Sequence, residues 1–130
     1  MGPGDRVVAA RLIALCLWVG MPVHAGQADV LSVDIRRAAT RGHYDVDVTL
    51  RHADTGWDHY ANRWEIIAPD GRVIATRVLV HPHVDEQPFT RSLAAVPIPA
   101  EYTWVRLRGH DLVHGYGGRE VTVSVPHGDL

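Results

Sequence analysis

Tyr44, Val46, Val48 and Leu50 are separated by Asp45, Asp47 and Thr49. This period of two sends one row of side chains into a core and the next into water. The same alternation, over shorter runs, marks Leu31–Ile35, Arg63–Ile66, Trp104–Arg108 and Val121–Val125. Pro69-Asp70-Gly71 is a tight-turn signal, so Val73–Val80 reads as the return strand of a hairpin. Phe89–Val96, which follows Pro88, is a weaker seventh strand. No stretch shows a 3.6-residue apolar stripe of useful length. Seven short strands spaced by roughly 8–12 residues predict an all-β fold, an immunoglobulin-like antiparallel β-sandwich of about seven strands. An open barrel with the same strand count is the alternative.

The first 25 residues stand outside this pattern. Arg6 and Arg11 make the start of the chain basic, Leu12–Met21 is an apolar run, and Val23 and Ala25 supply small residues before a cut after Ala25. That order is a secretory signal peptide. The apolar run is about ten residues, short of the ~20 a membrane span needs. Cys16 follows Leu15, whereas lipid-modified cysteines follow a small residue, so the leader reads as cut rather than lipidated. The expected division is a signal peptide over 1–25 and a β-sandwich domain over 26–130. The periplasm is the expected compartment, with no stable membrane anchor after cleavage.

Removing the leader changes the available chemistry. The chain has one Cys and two Met, and Cys16, Met1 and Met21 all lie in the leader. No disulfide can then form in the mature domain, and no soft sulfur ligand is left for copper(I). Nine of the 130 residues are histidine, and only His24 goes with the leader. Neutral imidazole is a ligand for zinc, copper(II), nickel and iron. The net charge of -2 carries no basic stripe of the kind that marks a nucleic-acid binder. No nucleophile elbow, phosphate loop or dinucleotide fingerprint is present.

The positions of the histidines sharpen this. In an up-and-down sandwich the loops after the second, fourth and sixth strands share one pole. They hold His52, His59, His81, His83, His110 and His114, while His43 and His127 fall at the other end. His81-Pro82-His83 places two imidazoles on one side of an extended chain, stiffened by the proline. His110-Asp111-Leu112-Val113-His114 adds two more and a carboxylate, and the glycines that follow allow a tight turn. His59, His81, His83, His110 and His114 are therefore the candidate metal ligands, with Asp111 or Glu86 as supporting or alternative oxygen donors. His52, beside a strand end, is expected to cap the backbone instead. Arg91 is placed to pair with Asp85 or Glu86 and hold the His81/His83 loop.

The string His81-Pro82-His83-Val84-Asp85-Glu86-Gln87-Pro88-Phe89-Thr90-Arg91-Ser92-Leu93, with His110–Gly118 downstream, resembles a group of small exported proteobacterial proteins. That resemblance implies export and a compact β-domain but supplies no activity. A more distant likeness is to the superoxide reductase (desulfoferrodoxin-like) family, in which an immunoglobulin-like sandwich holds one iron with four histidines and a cysteine. His52 and His59-Tyr60 resemble its first motif, one residue further apart than usual. Trp64–Ile67 and Asp70-Gly71 resemble the strand and turn that follow, and Asp111–Gly115 resembles the late motif with Asp111 in the place of the cysteine. The thiolate is central to superoxide reduction, and it is missing here.

These observations lead to an exported protein that binds a divalent transition metal, copper(II) or zinc, for carriage, buffering or delivery, with iron less favoured. A metalloenzyme at the same pole is the alternative, with Asp58, Asp111 or Glu86 as acid or base. A metal-free module that contacts another exported protein through pH-sensitive histidines is the third possibility.

Overall fold

The computed structural model describes residues 26–128, so the expected leader lies outside the described residues. The seven strands are β1 (Asp29–Arg37), β2 (His43–Arg51), β3 (Ala61–Ile67), β4 (Val73–Val78), β5 (Phe89–Pro97), β6 (Trp104–Asp111) and β7 (Val121–Ser124). Each contains or overlaps a run expected from the alternation, and no helix occurs among the described residues. β1-β2-β5 form one sheet and β4-β3-β6-β7 the other. Every neighbouring pair is antiparallel. The chain is thus an all-β sandwich of two antiparallel sheets, with the connections after β2, β4 and β5 crossing between them.

The alternation explains the packing. Val46, Val48 and Leu50 on β2 point inward with Val30 of β1, while Trp64 and Ile66 on β3 and Val105 and Leu107 on β6 face them from the other sheet. All of these are buried. Each such side chain contributes about 1.5–3 kcal/mol through its removal from water. This apolar layer stabilises the domain without a disulfide.

Two irregularities matter for the chemistry at one end. The inward phase of β2 runs past its last residue, so His52 and Asp54 are buried in line with Val46, Val48 and Leu50. The inward phase of β6 likewise carries from Val105 and Leu107 to Asp111, which is fully buried. A bulge between Ala61 and Arg63 sets Ala61 opposite Asp111 and Arg63 opposite His110. The sandwich therefore ends, at one pole, in polar residues delivered to its interior by strand phase.

Candidate metal centre

Three ligand atoms converge at that pole. His52 Nε2 lies 3.2 Å from His59 Nε2, and His59 Nε2 lies 3.1 Å from Asp111 Oδ2. His52 Nε2 stands 3.8 Å from the same carboxylate oxygen. Ligands held 2.0–2.1 Å from one zinc ion at a tetrahedral angle stand about 3.3 Å apart. The three separations bracket that value, so His52, His59 and Asp111 form a group able to hold a metal ion. Asp111 Oδ1 is buried and has no hydrogen-bond partner among the described residues.

Each of these side chains is held by its local backbone. His59 returns toward β3 through a tight turn: its amide donates to Gly56 O at 3.2 Å, and Thr55 N donates to His59 O at 3.0 Å. Asp111 closes a second turn with Gly115 through amide bonds of 3.1 and 3.0 Å in the two directions. Gly115 takes a φ of +70°, which glycine tolerates and most residues do not. Inside that turn, Asp111 Oδ2 accepts from the amides of Val113 (3.1 Å) and His114 (2.9 Å). The His114 ring folds over the same oxygen, its Nδ1 3.1 Å away, and lies against His59 with ring centres 5.0 Å apart.

His52 is oriented from behind. Its Nδ1 is hydrogen-bonded to Asp54 Oδ1, which leaves Nε2 facing His59 and Asp111. A carboxylate behind a ligating imidazole fixes ring and tautomer and raises the basicity of the other nitrogen. Asp54 is itself held by the amides of Ala61 at 3.0 Å and His83 at 2.7 Å. Gln87 joins the two loops: its Oε1 accepts from His52 N at 3.0 Å and its Nε2 donates to His83 O at 2.9 Å. Burial pushes the Asp111 carboxyl up, but the amides of His114 and Val113, the His114 ring and the charge of His52 together outweigh it. The net direction is below the ordinary carboxylate value, so Asp111 is an anion at neutral pH and available to a cation.

The structure divides the histidines singled out from sequence. His59 and His114 join the cluster, together with His52, which had been expected to cap the backbone. His110 sits on the outward face of β6, because successive strand residues point to opposite sides and its neighbour Asp111 takes the inward one. Its Nδ1 donates to Asn62 Oδ1 at 2.6 Å, and its ring meets Tyr116 edge-on. Burial, followed by the charge of Arg63, holds its pKa down. His83 is buried flat on Phe89, 3.9 Å between ring centres, and neither ring nitrogen has a hydrogen-bond partner among the described residues, Nδ1 standing 4.0 Å from Asp54 Oδ2. Burial, then Arg91 and His81, lower its pKa. His81 is exposed beside it, with its Nδ1 3.0 Å from Pro82 O. The H-x-H pair thus stands behind Asp54 rather than among the three converging atoms. Arg91 pairs with Glu86 at 3.0 Å, as the sequence suggested. At the far pole His127 Nε2 donates to Tyr102 O, and its Nδ1 accepts from the Tyr44 hydroxyl.

Neither a known family model nor a solved structure matches the chain. It is 38% identical over 102 residues to a protein of Halomicrobium mukohataei named "Putative lipoprotein". The match covers 78% of this chain and 49% of that protein, so the chain spans about half the length of this relative.

Proposed function

We propose that the protein is exported and binds a divalent transition metal, copper(II) or zinc, at one pole of its sandwich, to carry, buffer or deliver it. His52, His59 and Asp111 are the ligands in this reading, and His114 is next in reach. The observation that carries it is the convergence of two Nε2 atoms and one carboxylate oxygen within 3.1–3.8 Å. The buried carboxylate behind His52 supports it, because such a partner is the usual companion of a ligating histidine. Export is supported by the order of basic, apolar and small residues in the leader and by the name of the Halomicrobium protein. The periplasm, with the leader removed, is the compartment in this reading.

A second reading has its own support. Two histidines and one carboxylate with open positions are a set that mononuclear non-haem iron enzymes use. His52, His59, Asp111 and His114 are also the residues that carry the likeness to superoxide reductases, and they meet in space. In that reading the ion is iron, and Asp111 stands where the cysteine would be.

One set of measurements tests both. The purified protein is titrated with copper(II), zinc(II) and iron(II), alongside His52→Ala, Asp111→Ala and, as a control away from the cluster, His127→Ala. The expected result is micromolar or tighter binding of copper(II) or zinc, weakened about 100-fold or more by the first two changes and untouched by the third. Preferred iron(II) binding with consumption of superoxide would move the assignment to the second reading. Absence of binding to all three metals would remove both.

A further inference from the structure

We propose that the mature N-terminus is itself a ligand of the metal centre, through the α-amine and carbonyl of Gly26. This rests on the metal-binding reading above. The sequence places the leader cut between Ala25 and Gly26, which makes Gly26 the first residue of the exported chain. The fold brings that residue to the cluster. Gly26 O lies 3.1 Å from His52 Nε2, the same ring nitrogen that faces His59 and Asp111. On its other side Gly26 is pressed against His114: a Cβ added to it would lie 2.6 Å from His114 Cε1 and 3.1 Å from Nε2. Any residue with a side chain would have to displace the His114 ring, so this position is built for bare backbone between two imidazoles.

The chemistry of an N-terminal residue suits the place. Covalent geometry holds its amine roughly 3 Å from its own carbonyl oxygen. The amine and carbonyl of one residue close a five-membered ring on a metal ion, and an amine nitrogen belongs with imidazole among the donors that copper(II), nickel and zinc accept. Within an uncleaved chain the same nitrogen is a peptide amide and a poor donor. Removal of the leader would then complete the metal centre, and metal loading would follow export.

The test compares three chains. The full 130-residue protein is expressed with its leader, and the mass of the exported form is measured. Gly26–Leu130, which contains all seven strands, is then compared with the same chain carrying one alanine before Gly26. Each is titrated with copper(II), and the nitrogen donors are counted by electron paramagnetic resonance. The expected results are an exported mass that begins at Gly26, affinity lower by about tenfold or more in the extended chain, and one nitrogen donor fewer in its spectrum. Equal affinity with an unchanged spectrum overturns the proposal, and so does an exported form that begins upstream, for instance at a lipid-bearing Cys16. In either case a site still abolished by His52→Ala leaves the metal reading standing. Copper(II) binding by neither chain would take away both.

Discussion

Two buried carboxylates sit near one end of the sandwich, on opposite faces of the same sheet, and they are satisfied in opposite ways. Glu65, on the outer face of β3, accepts from Arg108 at 2.8 Å through one oxygen. Its other oxygen accepts from Arg63 and the Tyr116 hydroxyl, both at 3.1 Å. Arg108 also covers the Tyr116 ring at 4.0 Å, and Arg63 donates to its hydroxyl at 2.8 Å. Both oxygens are partnered by permanent cations and a phenol. Asp111, on the inner face of β6, gathers two imidazoles and two amides around one oxygen. Guanidinium groups stay charged and cannot bind a metal, whereas imidazoles can leave a proton and take an ion. The first cluster is held by groups that cannot bind a metal, and the second gathers imidazoles that can.

The sharpest way to break this comparison is to remove each carboxylate and measure stability with and without metal. Glu65→Ala leaves two guanidinium groups facing each other across a mostly buried surface. Losing one partner of a fully buried ion pair costs about 3–5 kcal/mol. Arg63 and Arg108 keep 29% and 24% of their side-chain surface in water, so the expected loss is about 2 kcal/mol, the same with or without zinc. Asp111→Asn keeps an acceptor for the Val113 and His114 amides, so the metal-free protein should lose about 1 kcal/mol or less. The difference appears on adding zinc. At 100 times its Kd, a ligand that binds only the folded state stabilises it by about 2.7 kcal/mol. Chemical denaturation should show that gain in the parent and in Glu65→Ala, and not in Asp111→Asn. A zinc gain that survives in Asp111→Asn would erase the distinction between the clusters.

The fold and the site were legible to different depths. Strand phase exposes an all-β chain of about seven strands, because runs such as Tyr44–Leu50 and Val121–Val125 alternate without interruption, but it leaves sandwich and open barrel to be separated by the structure. Part of the cluster was also visible: His59 and His114 fall on loops that share a pole, and Asp111 was noted as an oxygen donor. His52 lies at the same pole and in the superoxide reductase likeness, but reading it as a backbone cap leaves it out of the ligand set, although strand phase signals otherwise. It continues the inward row of Val46, Val48 and Leu50 at the same spacing, and a polar residue in that phase is delivered to the interior. The same rule, applied to β6, separates Asp111 from His110, because adjacent residues cannot share a face. Placing both in one site followed from loop position rather than phase. The same row reaches Asp54, but its partners, and the part played by Gln87, are not found this way. Their roles depend on where the β2–β3 and β4–β5 connections meet after crossing between sheets, which no local pattern encodes. The pairing of Arg91 with Glu86 was accessible because both lie on one short segment.

A pH titration extends the comparison to the charge of Glu65. Burial raises its pKa, but bonds from Arg108, Arg63 and Tyr116 and the charge of Arg108 outweigh that and hold it below its ordinary value of 4.5. The unfolded chain therefore binds a proton more readily than the folded one. The stabilisation is complete above the ordinary value and is lost as pH falls through the lower folded one. Chemical denaturation of the parent should accordingly show stability falling as pH drops below about 4.5. Glu65→Gln, which has no carboxylate to protonate, should be less stable at neutral pH and show a shallower fall. Parallel curves for the two proteins would mean that Glu65 carries no net electrostatic stabilisation.

The smallest effect is expected at the loop behind the cluster. Arg91 reaches Glu86 at 3.0 Å, and its guanidinium also lies over Phe89, 5.6 Å from the ring centre. Phe89 in turn stacks on His83, whose amide holds Asp54 and so, at one remove, His52. The ion pair is largely solvated, since Glu86 keeps 57% of its side-chain surface exposed, and such pairs contribute about 0.2–1 kcal/mol. Arg91→Ala should therefore cost about 0.5 kcal/mol in stability and weaken zinc or copper(II) affinity by only a few-fold. The backbone bonds from Gln87 to His52 and His83 remain and keep the loops joined. If Arg91→Ala instead cost as much affinity as His52→Ala, the loop would be supplying a ligand, and His81 and His83 would return to the metal centre. A few-fold loss in calorimetric titration, with the copper(II) spectrum unchanged, would place the boundary of the site at Asp54.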